Sequence, residues 1–132
     1  MRYYVDTCVW LNLFQKEGEH SDLTELALSR LIRTNAQICY SGEVLKELRR
    51  KLGHKYAFVR KELEFFSFVD LLPEDMRNAR ILESVYAFEL SFADLIHLCI
   101  AKRIGATLVT RDKQLMVVCK EQGVLAEKPE EL

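Results

Sequence analysis

The stretch ADLIHLCIAKRIGATLVTRD, residues 93–112, contains a helix, a turn and a strand in succession. Its first part, Ala93–Arg103, is so apolar that a helix formed here must be largely buried. Gly105 comes just past the helix end, where a residue with a positive φ is usually needed. Ala106–Val109 is a short apolar run that predicts a buried strand. A buried helix followed by a short turn and a buried strand is typical of an α/β fold.

Apolar runs alternate with helical patterns along the rest of the chain. Runs rich in β-branched and aromatic residues predict strands at Tyr3–Val5, Gln37–Tyr40, Phe68–Leu72, Ala106–Val109 and Val124–Ala126. Helices are predicted at Thr7–Gln15, Asp22–Arg33, Gly42–Leu52, Lys55–Phe66, Glu74–Glu89, Ala93–Arg103 and Lys113–Gln122. Strands that are apolar throughout and alternate with helices favour a parallel sheet covered on both faces. We therefore predict a three-layer α/β/α fold with a central parallel sheet of about five strands.

The composition favours one domain without a global charge preference. The chain has 132 residues, of which 49% are hydrophobic, and this is enough for one domain with its own core. Its 19 Lys and Arg against 20 Asp and Glu leave a formal net charge of −1. Any affinity for nucleic acid must therefore come from local basic patches.

The cysteines and the short apolar runs indicate the compartment. Cysteines 8, 39, 99 and 119 lie in or beside apolar stretches without CxxC spacing, which predicts buried free thiols rather than zinc ligands or disulfides. No apolar run is long enough for a membrane span, and a strand begins where a signal peptide would stand. We expect a soluble, cytoplasmic protein with no membrane partner.

Acidic residues follow the predicted strands at the end where parallel sheets carry their functional crevice. Asp6 ends the first strand, and Asp112 ends the strand of the opening stretch. Asp94 stands at the head of the apolar helix. After another strand, Glu43 and Glu47 lie four residues apart on one face of the next helix. The sequence thus predicts that these carboxylates meet in one crevice.

Three of these acids also have a purely structural interpretation when each is taken alone. Asp6 and Asp112 each precede a helix, and Asp is among the favoured N-cap residues. Asp94 fits the third position of a capping box that begins at Ser91. Capping alone would then explain each position.

The two glutamates are weaker candidates than the aspartates. Glu47 suits a surface ion pair with Lys51, and Glu43 is typical of an exposed acid at a helix start, so we retain it only as a supporting residue. The joint pattern is harder to explain in this way, because clustered carboxylates repel one another unless they bind protons or cations. Their oxygens suit Mg²⁺ or Mn²⁺, which can activate water and orient a phosphate. The sequence therefore favours metal-dependent phosphodiester hydrolysis.

Residues 46–61, KELRRKLGHKYAFVRK, form a basic stripe with seven Lys or Arg and one acid. We expect this stripe to attract an RNA backbone, with Tyr56 and Phe58 available to stack on bases. The alternative is a solvated helix face with both aromatic residues in the core. The positions that we expect to contact RNA phosphates are Arg49, Arg50, Lys51, Lys55 and Arg111.

The three histidines are scattered, and none has a partner at a motif-like spacing. His97 lies inside the apolar helix, where a hydrogen-bonded core histidine is more common than a metal ligand. A metal-free mechanism with two histidines is therefore disfavoured. Without an evident general base, metal-bound water should be the nucleophile, and in-line attack would leave a 5′-phosphate and a 3′-hydroxyl.

Four segments resemble the PIN-domain ribonucleases in order and spacing. They are YYVDTCVWL from Tyr3, SGEVLKEL from Ser41, LSFADLIHLCIAKRIGATLVTRDKQL from Leu90 and GVLAEKP from Gly123. The similarity is greatest to the toxins of VapBC toxin–antitoxin pairs and covers essentially the whole chain. It implies that residues 1–132 form a single PIN-like nuclease domain.

The resemblance also implies an activity and a set of residues. The activity is a Mg²⁺- or Mn²⁺-dependent endoribonuclease, often homodimeric and silenced by an antitoxin whose tail covers the site. The catalytic and metal-binding acids of the family pattern correspond to Asp6, Glu47, Asp94 and Asp112, and Thr110 corresponds to a supporting hydroxyl. Many relatives have Asn or Ser where this chain has Cys8. Because a thiol is a poor partner for phosphate or a hydrated hard cation, we expect an altered contact there.

Two other functions remain open at the level of sequence, and a third is set aside. A PIN nuclease with a housekeeping role in RNA processing, or one that acts on DNA, differs from a toxin in lacking a small antitoxin-like reading frame immediately upstream. A non-catalytic PIN-like scaffold that binds RNA or protein has no need of four acids. A HAD-like phosphatase needs a second Asp two residues after its nucleophile, and Cys8 occupies that position.

Overall fold

The structure is a computed structural model that describes residues 1–16, 18–87 and 89–132. Within these residues the strands are β1 (Arg2–Val5), β2 (Gln37–Ser41), β3 (Ser67–Val69), β4 (Thr107–Val109) and β5 (Ala126–Glu127). The α-helices are α1 (Thr7–Gln15), α2 (Gly18–Arg33), α3 (Gly42–Leu52), α4 (Tyr56–Leu63), α5 (Pro73–Val85), α6 (Phe92–Ile104) and α7 (Lys113–Glu121). Short 3₁₀ turns cover Gly53–Lys55 and Pro129–Glu131.

The strands form one parallel sheet in the order β3-β2-β1-β4-β5, with helices on both faces. The predicted three-layer α/β/α architecture is confirmed. Strands β1, β2 and β3 extend the sheet in one direction, and the chain then returns to place β4 on the other side of β1. The strand order reverses between β1 and β4, which is where the crevice of an open parallel sheet lies.

The core is centred on the two middle strands and on α6. Tyr4, Val5, Leu108 and Val109 have no exposed surface, and all residues of 95–101 in α6 are buried. The prediction of a largely buried helix in the opening stretch is therefore confirmed. Among the described residues, no helix combines the length and the apolar character needed to cross a bilayer.

Most element boundaries agree with the sequence prediction, and the disagreements fall at element ends. The backbone is left-handed at Gly105 (φ 68°) and Gly123 (φ 74°), as expected. Helix α2 begins at Gly18 and not at Asp22, because its first turn is polar and carries no apolar period. Strand β5 lies two residues later than its predicted start, since the Val124 N–H bonds to the Cys119 carbonyl and closes α7.

Three further elements have boundaries that differ from the prediction. Strand β3 was expected at Phe68–Leu72, but Leu72 is the N-cap of α5 and Pro73 its first residue. The helix expected at Lys55–Phe66 is shorter, because a 3₁₀ turn precedes it. Helix α5 ends at Val85, four residues before the predicted end at Glu89. The predicted range includes Phe88, which lies outside the described residues.

An ion pair between the buried Asp75 and the partly exposed Arg103 joins α5 to α6. Asp75, only 1% exposed, receives hydrogen bonds from the Arg103 guanidinium, at 3.0 Å from Nε to Oδ1 and 3.0 Å from Nη2 to Oδ2. Its Oδ2 also accepts from the Leu72 N–H at 2.9 Å. The same guanidinium donates to the Asp70 carbonyl at 2.7 Å. This pair fixes the start of α5 against the end of the site-bearing helix α6.

We predict that Asp75→Ala lowers the free energy of unfolding by about 3 kcal/mol, because it leaves Arg103 without its buried partner. Urea denaturation followed by circular dichroism measures this change. The matched control is Glu74→Ala, which removes an exposed carboxylate from the same helical turn and should cost less than about 1 kcal/mol. Equal losses for the two variants would contradict the structural role of the pair.

Candidate functional site

Asp6 lies at the centre of the crevice. Its backbone N–H donates to the Val109 carbonyl at 2.9 Å and so extends the contact between β1 and β4. Its Oδ1 accepts from the Thr7 N–H at 2.7 Å, as an N-cap of α1 should. Its Oδ2 accepts from the Thr110 hydroxyl at 2.8 Å. The capping interpretation of Asp6 is correct. The carboxylate is also bonded to Thr110, which directly follows β4.

Asp112 follows β4 and is joined to Asp6 through Thr110. The Thr110 hydroxyl, which is fully buried, accepts from the Asp112 N–H at 3.1 Å while it donates to Asp6. Asp112 Oδ1 caps α7 by accepting from the backbone N–H groups of Gln114 and Leu115. Capping occupies only one carboxylate oxygen. Asp112 therefore keeps a second oxygen that the cap does not use.

Asp94 opens α6 beside these two acids. The Ser91 hydroxyl accepts from the Asp94 N–H at 3.1 Å, so this half of the predicted capping box is present. Burial, followed by the negative charge of Asp6, raises the pKa of Asp94 from 3.8 to about 6, and Asp112 acts in the same direction. The hydrogen bond of Ser91 offsets only part of this. Asp6, Asp94 and Asp112 thus share a region with uncompensated negative charge.

Glu47 reaches the same crevice from α3, where it is hydrogen-bonded to Thr7 and His97. Its Oε1 accepts from the Thr7 hydroxyl and from His97 Nε2, both at 2.7 Å, and its side chain is 13% exposed. The interpretation as a surface pair with Lys51 is therefore wrong. Burial raises the pKa of Glu47, but the hydrogen bond and charge of His97 outweigh it and lower the pKa overall.

His97 is fully buried and links Glu47 to β1 and to the end of β2. Its Nδ1 is 2.7 Å from the Tyr4 hydroxyl, which is 2.6 Å from the Ser41 hydroxyl. Its Nε2 lies 3.7 Å from Asp6 Oδ1. Burial lowers the pKa of His97, but the hydrogen bond to Glu47 and the charges of Asp6 and Glu47 raise it by more, so the pKa lies above its usual value. The prediction of a hydrogen-bonded core histidine is confirmed.

The bond of His97 to Glu47 was not predicted from the sequence. The bonds of Thr7 and Tyr4 in the same network were not predicted either. One signal was available: His97 follows Asp94 by three residues, which places both on one helix face. Another was that Tyr4 and Asp6 alternate along β1 and point to the same face of the sheet. No spacing rule indicated that Glu47 would meet His97, because these residues belong to different elements.

Glu43 is buried, so the expectation of an exposed helix-start acid is wrong. It lies in the first turn of α3, near the Tyr4 hydroxyl. Burial raises the pKa of Tyr4, and the charges of Asp6, Glu47 and Glu43 add to this. Glu43 therefore acts on Tyr4 in the same direction as Asp6 and Glu47.

Cys8 takes part in the site as a weak donor. Its thiol donates to Asp6 Oδ2 at 3.2 Å and lies 4.0 Å from the Thr110 hydroxyl. Burial, followed by the charge of Asp6, raises the pKa of Cys8 to about 12, so the thiol remains protonated. The other cysteines are buried free thiols, as predicted, while Cys8 itself is only partly buried.

Arg111 is engaged inside the protein and does not face the crevice. Its Nε donates to Asn12 Oδ1 at 2.8 Å, Nη1 to Glu130 Oε1 at 2.6 Å and Nη2 to Thr24 Oγ1 at 3.0 Å. Nη2 also donates to the His20 carbonyl at 3.2 Å. The expectation of a phosphate contact at Arg111 is therefore not met by this arrangement. The residue instead ties the loop of the site acids to α1, α2 and the C-terminal turn.

The basic stripe is exposed and free of ion pairs within the described part of the chain. It runs along α3, the 3₁₀ turn and α4, on the same helix as Glu47. Tyr56 is half-buried against the core, whereas Phe58 is 70% exposed. The exposed side chains of the stripe are Lys46, Arg49, Arg50, Lys51, Lys55, Arg60 and Lys61.

The acids fit a hydrated hard cation better than a closed metal cage. Within residues 1–16, 18–87 and 89–132, no three His, Cys, Asp or Glu side chains are grouped closely enough to hold a metal ion directly. Mg²⁺ usually keeps several waters and binds one or two carboxylates. The unbalanced charge on Asp94 and the unused oxygen of Asp112 suit that mode, and Asp6 lies beside both.

We predict that Asp94→Asn stabilises the metal-free protein at pH 8 by about 2 kcal/mol and has little effect at pH 4. The folded-state pKa of Asp94 lies above its ordinary value, so its stabilising protonated form is present below about pH 4 and is lost as the pH rises through about 6. Thermal unfolding in EDTA at both pH values measures the difference. Asp22→Asn, at an exposed position of α2, is the control and should show no such pH dependence. A destabilised Asp94→Asn variant at pH 8 would refute the predicted charge repulsion.

Comparison with known proteins agrees with the fold. Among solved structures, VapBC2 from Rickettsia felis matches with a TM-score of 0.75 and 20% identity over 97% of this chain and 98% of that chain. FitAcB from Neisseria gonorrhoeae matches with a TM-score of 0.71 and 19% identity, covering 98% and 99%. VapC20 from Mycobacterium tuberculosis, described as a sarcin–ricin loop cleaving toxin, gives 0.70 and 19%, covering 88% and 94%.

The family assignment rests on the sequence. No curated protein is similar enough in sequence to count as a match. The PIN domain family, however, matches residues 3–121, which include all the strand-end and helix-opening acids of the crevice. This chain therefore belongs to the PIN domain family.

Proposed function

We propose that this protein is a Mg²⁺- or Mn²⁺-dependent endoribonuclease and the toxin of a type II toxin–antitoxin pair. The observation that carries the proposal is the meeting of three aspartates at the switch point of the sheet. Thr110 joins Asp6 to Asp112 there, and burial and the charge of Asp6 raise the pKa of Asp94. A protein that keeps repelling carboxylates at the switch point of its sheet gains stability by binding a cation there. The fold of known VapC toxins supports the same assignment.

The chain's own residues would divide the chemistry between them. Asp6, Asp94 and Asp112 would hold a hydrated cation, in part through its water molecules, with Glu47 at the edge of the site. A bound cation would lower the pKa of water and polarise the scissile phosphate. His97 is not available as a general base, because both ring nitrogens are bonded inside the protein. Attack by water would leave a 5′-phosphate and a 3′-hydroxyl on the RNA.

The basic stripe would hold the RNA backbone next to the crevice. Its side chains are exposed and begin on the helix that carries Glu47. Counterion release makes such binding strong at low salt and independent of base sequence. The exposed ring of Phe58 can stack on a base. We assign the phosphate contacts to Arg49, Arg50, Lys51 and Lys55, and not to Arg111.

The partners and the cellular role follow from the toxin assignment. Solved relatives of this fold are toxin–antitoxin complexes, and we propose an antitoxin protein for this chain as well, together with a homodimeric state and a cytoplasmic location. A small reading frame immediately upstream that encodes a protein binding this chain would support the toxin. Its absence would favour the housekeeping PIN nuclease.

We predict that Asp6→Asn and Asp112→Asn each reduce RNA cleavage by at least about 100-fold without loss of folding, because Asn keeps the size and shape of the side chain but removes the charge that holds the cation. Purified protein is incubated with total RNA and Mg²⁺ or Mn²⁺, and the ends are mapped. The control Asp22→Asn should cleave as the wild type does.

Removal of the metal provides the second arm of this experiment. EDTA should abolish cleavage, and added Mn²⁺ should restore it. Cleavage that persists in EDTA or leaves cyclic phosphates would overturn the mechanism. A wild type that binds RNA and never cleaves it would favour the non-catalytic scaffold.

We predict that Arg49→Gln combined with Arg50→Gln weakens RNA binding and lowers its salt dependence by about two in the slope of log K against log salt. Fluorescence anisotropy with a labelled single-stranded RNA over a salt series measures both. The control combines Arg77→Gln with Lys120→Gln, which removes the same charge from α5 and α7. If both pairs change the slope equally, net charge and not the stripe determines binding.

A further inference from the structure

His97 lies between two acids of the site without reaching its surface. Its Nε2 is 2.7 Å from Glu47 Oε1 and 3.7 Å from Asp6 Oδ1, and its Nδ1 is 2.7 Å from the Tyr4 hydroxyl. The side chain has no exposed area. A ring whose two nitrogens are both bonded within the protein contacts neither substrate nor cation. His97 can therefore affect the reaction only through the residues that it holds.

We propose that His97, anchored by Tyr4, is a positioning residue that fixes Glu47 by one carboxylate oxygen and leaves the other free to face the cation and its water. This inference rests on the proposed function. Both bonds to Glu47, from His97 and from Thr7, end on Oε1. The second oxygen, Oε2, takes part in neither bond. The carboxylate is thus oriented by two donors that both bond to Oε1.

The anchor of His97 lies in the buried middle of the sheet. Tyr4 belongs to β1, the middle strand of the sheet, and is fully buried. Its hydroxyl lies 2.6 Å from that of Ser41, at the end of β2. His97 itself belongs to the buried helix α6, one turn after Asp94. The imidazole therefore has a position set by two strands and a helix.

This network keeps its geometry in both protonation states of His97. In the neutral ring, Nε2–H donates to Glu47, and Nδ1 accepts from the Tyr4 hydroxyl, which in turn accepts from Ser41. In the charged ring, Nδ1–H donates to Tyr4, whose hydroxyl then donates to Ser41. Nε2 donates to Glu47 in either case. The positioning role consequently does not depend on titration of the ring.

Without His97, Glu47 has another partner. Lys51 lies four residues later on α3, is exposed, and already lowers the pKa of Glu47 by its charge. A glutamate freed from His97 gains side-chain rotamers and can turn towards this lysine. The carboxylate would then leave the crevice. Loss of the histidine should therefore act on the cation site and leave the basic stripe unchanged.

The first test compares His97→Leu with His97→Gln. We expect His97→Leu to weaken Mn²⁺ binding, measured by titration calorimetry, by about 10- to 100-fold. It should lower kcat for RNA cleavage while KM changes little, because the stripe that binds RNA is intact. His97→Gln should recover most of both losses, since an amide N–H can donate to Glu47. Tyr4→Phe, which keeps the ring and removes the anchor, should give an intermediate loss.

The second test is a double-mutant cycle with Glu47→Gln. If His97 acts through Glu47, His97→Leu should have no further effect on Mn²⁺ affinity in the Glu47→Gln background. A merely structural role would give losses that add. Additive losses, unchanged Mn²⁺ affinity in His97→Leu, or failure of His97→Gln to recover affinity would each overturn the proposal. Thermal unfolding of every variant checks that it is folded under the assay conditions.

The third test separates this inference from the proposed function. In metal-free protein with ¹⁵N-labelled histidine, NMR should show a protonated Nε2 on His97 whose proton shift moves in Glu47→Gln. If this bond is present but the wild type neither binds Mn²⁺ nor cleaves RNA, the proposed function fails. If the wild type binds Mn²⁺ and the bond to Glu47 is absent, the positioning role alone is refuted.

Discussion

The pairing of β1 with β4 is the constraint on which the site depends. These strands are parallel and in register from Tyr3 opposite Thr107 to Val5 opposite Val109. Both therefore end at the same edge of the sheet, where the strand order reverses. Thr110 continues this alignment by donating to Asp6 with its side chain and accepting from the backbone of Asp112. Residues more than a hundred positions apart in the chain thus become neighbours.

The acids of the crevice differ in the direction of their pKa shifts. Burial raises the pKa of Glu47, but its hydrogen bond to the buried His97 and the charge of that histidine outweigh this effect, and the pKa is lowered. Burial and the charge of Asp6 raise the pKa of Asp94. Acids of one crevice thus differ in how strongly the surrounding fold favours their ionised form.

The basic residues fall into two groups, those that are bonded within the fold and those that are exposed. Arg103 and Arg111 donate hydrogen bonds to carboxylates and carbonyls within the fold. Each of them joins several elements near the site: Arg103 fixes α5 against α6, and Arg111 fixes the loop after β4. The side chains of the basic stripe remain exposed. The basic residue next to an acid of the site is therefore bonded within the fold, whereas the basic run on α3 and α4 is exposed to solvent.

The sequence by itself determined the α/β class, the order of the elements and the positions of the strand-end acids, because periodicity and capping chemistry are local properties. It also indicated that Asp6 and Asp112 would be N-caps, since a cap is formed within a few residues of the chain. Only the tertiary structure decided that Glu47 bonds to His97, that Glu43 is buried and that Arg111 is internal. Those outcomes depend on which side chains from separate helices meet across the sheet, and no short-range pattern carries that information.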